Sequence, residues 1–103
     1  MPYAEINDLV VAFRNVMLRA RQNKGLEIFG DALSLRERMV MVLEKLNRAK
    51  LQATNLTFAD LFEADEGREG LVVTFMAILE LMRDGLLNIV QNQPYSPIHV
   101  TTK

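Results

Sequence analysis

The chain has 103 residues, half of them hydrophobic and 24% charged, and a formal net charge of −1. That is one domain with a modest core, too short for two. It contains no cysteine, which excludes a disulfide framework and any thiolate metal site. No apolar run approaches the ~20 residues of a membrane span and no signal-peptide pattern opens the chain, so the cytoplasm is the expected location.

The charge is unevenly spread. Residues 1–50 carry nine Lys/Arg against six Asp/Glu, a balance of +3, and residues 51–103 carry three against seven, a balance of −4.

Ile6, Leu9, Val10, Phe13, Val16, Met17 and Ala20 recur at helical spacing, which predicts an amphipathic helix over 6–23. Arg19, Arg21 and Lys24 gather at its end, where cations suit the carbonyl pole, and Gly25 is a stop. The stretch 26–30 reads equally as an edge strand or an extended linker.

Ser34 followed by Glu37 is a capping-box signature. It opens a helix over 35–50 with Leu35, Met39, Val42, Leu43 and Leu46 on one face, and Arg38, Met41, Lys45 and Arg48 on the other. Residues 54–57 suit a brief extended segment. Thr57 with Asp60 resembles a second cap pair, opening a short helix over 58–62.

After an acidic turn at 63–67, a long helix is predicted over 68–84, closed by Gly85. Leu71, Val72, Val73, Phe75, Met76, Ile78, Leu79, Leu81 and Met82 leave only a strip at Thr74, Ala77 and Glu80 for water. A helix apolar nearly all round is buried on more than one side, and in so small a domain the second side is expected to face another protein. Leu87 and Ile89 alternate with Asn88, and Ile98 and Val100 with His99 and Thr101, predicting a hairpin with Pro94 and Pro97 in or beside its loop. Three helical segments closed by a hairpin make a winged helix, mainly α with a small β-hairpin (α+β), over residues 31–103. Residues 1–30 add an N-terminal helix and linker.

No residue set points to catalysis or a cofactor. The acidic residues Glu63, Asp65, Glu66 and Glu69 match no EF-hand spacing and suit a helix N-terminus better than a metal. His99 is the only histidine and has no cysteine partner, so it reads as an exposed hairpin residue. Gly67, Gly70 and Gly85 lack the Lys-Ser/Thr ending of a phosphate loop. The methionines follow helical spacing as core filler, Met41 excepted.

Winged helices often bind DNA by laying a basic third helix in the major groove. Here Arg68 and Arg83 are opposed by Glu69, Glu80 and Asp84, and residues 86–100 hold no Lys or Arg. The basic face of the 35–50 helix is left as a minor contact. A docking surface for a protein fits better, with Leu87, Ile89, Tyr95 and Ile98 of the hairpin as candidates, some of which must cover the core, and Phe75 and Leu79 of the helix, which serve equally as plain core. DNA binding is the alternative, and self-association a third reading.

Four segments carry a family resemblance: Leu33-Ser-Leu-Arg-Glu-Arg-Met39, Leu56-Thr-Phe-Ala-Asp-Leu-Phe62, Val72-Val-Thr-Phe-Met-Ala-Ile-Leu-Glu-Leu81 and Gln91-Asn-Gln-Pro-Tyr-Ser-Pro-Ile98. Together they resemble the C-terminal part of segregation and condensation protein A (ScpA), the bacterial kleisin family. The resemblance implies a non-enzymatic winged-helix domain that docks on the head of an SMC ATPase. It also implies a middle region, outside this chain, that binds ScpB, and a place in a nucleoid-associated chromosome segregation complex. Tyr95-Ser96 stands where the family commonly has Phe-Gly, and Gly67 where a polar capping residue is expected.

Overall fold

The computed structural model describes residues 6–22, 34–63, 67–93 and 96–102. Expectations for the 26–30 stretch, Gly25, Asp65, Glu66, Pro94 and Tyr95 lie outside those residues. Among the described residues there are three α-helices: α1 (Ile6–Gln22), α2 (Leu35–Leu51) and α3 (Gly67–Arg83). The strands are β1 (Leu56–Thr57), β2 (Leu87–Gln91) and β3 (Ile98–Thr102), and a single 3-10 turn, Ala59–Leu61, follows β1.

The capping box forms as expected. The Ser34 hydroxyl accepts from the Glu37 amide at 3.1 Å, and the Glu37 carboxylate accepts from the Ser34 amide at 3.2 Å. Each bond satisfies a backbone donor that the first helical turn leaves open. At the second expected cap only the acid acts: the Asp60 carboxylate accepts from the Thr57 amide at 2.9 Å. Thr57 itself belongs to β1, paired with His99.

Two helices end in the same motif with different residues. At the end of α3 the Gly85 amide donates to the Met82 carbonyl at 3.0 Å and the Leu86 amide to the Leu81 carbonyl at 2.9 Å. Gly85 takes a φ of 76°, the left-handed turn this motif requires. At the end of α2 the Ala53 amide donates to Lys50 at 3.2 Å and the Thr54 amide to Ala49 at 2.8 Å. Ala53 adopts a φ of 53° there, although it carries a Cβ. The residue that opens α3, Gly67, also has positive φ, 81°, which accounts for glycine in place of a polar cap.

The sheet runs β1-β3-β2, all antiparallel. Ile89 pairs with Val100, and Val100 with Leu56, on the inner side. Val90 pairs with His99, and His99 with Thr57, on the outer side. The core is built from Val42 and Leu46 of α2, Phe58, Leu61 and Phe62 around the 3-10 turn, and Leu71, Ile78 and Leu81 of α3, closed by Leu87, Ile89, Ile98 and Val100 of the sheet.

One sequence expectation reverses here. Thr74 and Ala77 are 0% exposed, so they line the buried arc of α3 instead of a watery strip. The Thr74 hydroxyl donates to the Gly70 carbonyl at 2.9 Å, which satisfies its polar group inside the helix. With that bond made, Gly70, Thr74 and Ala77 form a row of small residues on a helix that packs chiefly against α2. Small side chains let neighbouring backbones approach closely, so the inner arc is the one with the least bulk. The outer arc keeps Met76 at 49% exposure.

Candidate docking surface

The residues expected to meet a partner divide into three groups. Leu87, Ile89 and Ile98 are 5%, 4% and 4% exposed, and belong to the core. Strand geometry is the cause: side chains alternate between faces, and all three fall on the inner face over the helices. These three are therefore the hairpin candidates that cover the core. Phe75 and Leu79 are partly buried and pack against the core. Phe75 stacks on Phe13 of α1, ring centroids 4.4 Å apart and planes 6° apart, and meets Phe58 edge-on at 6.0 Å. Tyr95 lies outside the described residues.

What the hairpin offers to solvent is its outer face and one edge. Asn88, Val90, His99 and Thr101 alternate with the core residues and turn outward. Among the described residues β2 pairs only with β3, which leaves the far edge of its five residues, Leu-Asn-Ile-Val-Gln, without a described strand partner and without charge. Natural edge strands are commonly guarded by lysine, proline or a bulge, and this one has no such guard. Leu86, half in solvent, stands where α3 hands the chain to β2.

The loop between the strands is fixed from within. Ser96 donates its hydroxyl to the Gln93 carbonyl at 2.6 Å and accepts from the Gln93 amide at 3.1 Å. The Gln91 side chain donates to the Ser96 carbonyl at 2.9 Å. Sequence reading marked Ser96 only as a departure from a glycine. The structure makes it the tie that holds the loop.

The electrostatics oppose phosphate binding. On α3, Arg83 is drawn to Glu80 at 3.4 Å, and Arg68 is followed by Glu69. The basic face of α2 is thinner than its sequence suggests: Arg38 is 8% exposed, and Lys45 is paired with Glu63 at 2.9 Å. That pair also takes one member out of the acidic cluster. Among the described residues no group of three or more acidic or histidine side chains comes together to hold a metal. A groove of about 630 Å³ runs between α1, the 3-10 turn and the loop end of the hairpin, lined in part by Asn7, Val11, Asn15, Phe58 and Asp60.

The family model of segregation and condensation protein ScpA matches residues 3–103. The chain belongs to the ScpA family. Relatives named segregation and condensation protein A include one from Coxiella burnetii, 36% identical over 102 residues, and one from Xylella fastidiosa (strain 9a5c), 39% identical over 99. A third, from Listeria monocytogenes (serotype 4b, strain CLIP80459), is 40% identical over 101 residues. These matches cover 99%, 96% and 95% of this chain, but only 37%, 32% and 39% of the relatives.

Among solved structures, the chain is similar to one in the crystal structure of the SmcHead bound to the C-winged helix domain of ScpA. The TM-score is 0.55 at 21% identity, over 68% of this chain and 100% of that one. The likeness shows the winged-helix fold for this ScpA-family chain. No described helix is long and apolar enough to cross a membrane.

Proposed function

We propose that this chain is the winged-helix docking module of a kleisin subunit, and that it clasps the head of an SMC ATPase without catalysing a reaction. Residues 31–103 form the docking unit and residues 1–30 an extension to it. The unguarded, uncharged edge of β2 supports this reading most directly. A partner strand laid along Leu87–Gln91 would complete the sheet through backbone hydrogen bonds, with Val90 and Asn88 beside it and Leu86 at the corner. Phe75 and Leu79 contribute by holding α3 in place; Leu87, Ile89 and Ile98 contribute by fixing the sheet; Tyr95 is proposed as a further contact on the strength of its aromatic ring alone.

One known structure containing a similar chain is a complex with an SMC head, and the family name speaks of segregation and condensation. The setting would be the cytoplasm, at the nucleoid. DNA binding fares worse, because residues 86–102 carry neither lysine nor arginine and the exposed part of α3 mixes both signs. Co-elution of the chain with a purified SMC head decides the matter. Stable co-elution, lost on Val90→Arg while the domain stays folded, carries the reading. Failure of the unaltered chain to co-elute sinks it.

A further inference from the structure

The groove beside α1 shares only Gln91 with β2, and its walls hold an ordered set of hydrogen-bonding groups. Asn7, Val11, Asn15 and Arg19 follow one another at i, i+4 spacing, all exposed, and form a lip along α1. Val16, one row deeper, joins Phe58 and Ile98 in a buried apolar floor. Thr57 and Asp60 stand on the opposite wall.

Size decides between a helix and an extended chain. At 1.5 Å per residue the lip from Asn7 to Arg19 is about 18 Å long. A second helix of that length, about 10 Å across, would need about 1,400 Å³, and the groove has about 630 Å³. An extended chain takes about 150 Å³ per residue from its strand and sheet spacings, so the volume holds about four residues and the lip spans about five. The repeats agree as well. Each step along the lip advances about 6 Å, and an extended backbone repeats along one edge every two residues, about 6.6 Å. Asn7 and Asn15 would therefore meet equivalent backbone groups of one extended segment, and an amide side chain can both donate to and accept from them. The Thr57 amide is already taken by the Asp60 carboxylate at 2.9 Å, so side chains hold such a segment and the sheet is not lengthened on this side.

Charge narrows the occupant further. Arg19 is the one cation among the described lining residues, set against Asp8 and Asp60, which is the wrong balance for a phosphate or a nucleic acid. Arg19 and Asp60 stand on opposite walls and form no ion pair with each other. An occupant that carries both an acid and a base answers both groups.

We propose that this groove binds an extended segment of a partner protein, about four or five residues long, with alternate apolar side chains turned onto Val16 and Phe58, an acid at Arg19 and a base at Asp60. The site is separate from the free edge of β2 and needs no SMC head, so its test is independent of the docking function.

A phage-displayed library of random heptapeptides, panned on the folded chain, supplies the probe. Enriched sequences should alternate apolar and polar residues and carry one acid and one base. Synthetic copies should shift the amide resonances of α1 and of residues 57–60 in nuclear magnetic resonance titrations, and leave those of Asn88 and Val90 in place. Arg19→Glu should weaken binding about tenfold, and replacing the peptide's acid by lysine should recover it on that variant. Asn15→Ala should weaken every enriched peptide, whatever its charges. Both positions are exposed, so the unfolding midpoint should not move. Val90→Arg should leave peptide binding as it was. A library that yields no enriched sequence overturns the inference. So does binding that Arg19→Glu and Asn15→Ala leave untouched, or binding that Val90→Arg removes.

Discussion

Phe13 and Phe75 stack face to face at 4.4 Å, joining the N-terminal helix to the third helix of the winged fold. Phe13 also meets Phe62 at 5.6 Å, and Phe58 meets both Phe62 and Phe75 edge-on, so four rings form one cluster beneath α1. Aromatic pairs of this kind contribute about 0.5–1.5 kcal/mol beyond the area they bury.

Removing the ring of Phe13 should therefore loosen α1 before it loosens anything else. A fully buried Phe→Ala substitution costs about 3–5 kcal/mol, and the partly buried Phe13 should cost about 2–3. Urea unfolding of Phe13→Ala gives the size of the loss. Amide exchange by mass spectrometry gives its place: α1 should exchange faster, while α2 and α3 keep their protection. Equal loosening of all three helices would mean that α1 is an inseparable part of the core.

Much of this fold was legible in the chain, and the reason is periodicity. Helical spacing placed α1 and α2 to within a residue, Ser34 and Glu37 announced a cap, and alternating residues announced the hairpin. What failed was the assignment of faces. Thr74 and Ala77 looked like a solvent strip because polarity and small size suggest exposure, but close helix packing prefers small residues and Thr74 bonds its own helix. Leu87, Ile89 and Ile98 looked available for a partner because the sequence does not say which face of a three-stranded sheet is covered. Arg38 sat on the side opposite the apolar stripe and is nevertheless covered, so spacing alone did not fix its environment.

The paired helix ends give a prediction in which one exchange has opposite signs at two sites. Ala53 and Gly85 occupy equivalent left-handed positions after α2 and α3. A residue with a Cβ is strained there by about 1–2 kcal/mol, and glycine is not. Ala53→Gly should stabilise the domain by about 0.5–1 kcal/mol, part of the gain being offset by the freer unfolded chain. Gly85→Ala should destabilise it by about 0.5–1 kcal/mol, the strain again being partly offset, here by the stiffer unfolded chain. A new Cβ at Gly85 would have nothing within 4 Å, so its cost is conformational and owes nothing to a clash. Thermal or urea unfolding of both variants measures the two signs, and a common sign would refute the equivalence.

Ser96 supports a prediction about the hairpin loop alone. Its hydroxyl both donates to and accepts from Gln93, two bonds a glycine could not make. A net hydrogen bond in such an exposed setting contributes about 0.5–1.5 kcal/mol. Ser96→Ala should cost about 1 kcal/mol and speed amide exchange around Gln93, leaving α2 and α3 unchanged. Ser96→Gly should cost slightly more, since it also frees the backbone of the unfolded chain. Nuclear magnetic resonance exchange rates along residues 87–102 distinguish a loosened loop from a loosened sheet.

Ile89 and Val90 are neighbours on opposite faces of β2, and that adjacency separates folding from docking. A carboxylate at Ile89 would enter the core beside Val100 with no partner for its charge. Burying an unpaired ion is costly enough to exceed the 5–15 kcal/mol that holds a typical domain together or to force the group to neutralise. Ile89→Glu should unfold the chain at neutral pH, visible as loss of the far-UV helical signal, and loss of SMC-head binding would follow trivially. Val90→Arg places the charge on the outer face beside His99, where water can reach it, and should leave the unfolding midpoint nearly unchanged. Its effect should appear only in co-elution with the head, as a loss of the complex that added salt does not restore. A folded Val90→Arg chain that still binds at full strength would move the docking surface away from the free edge of β2.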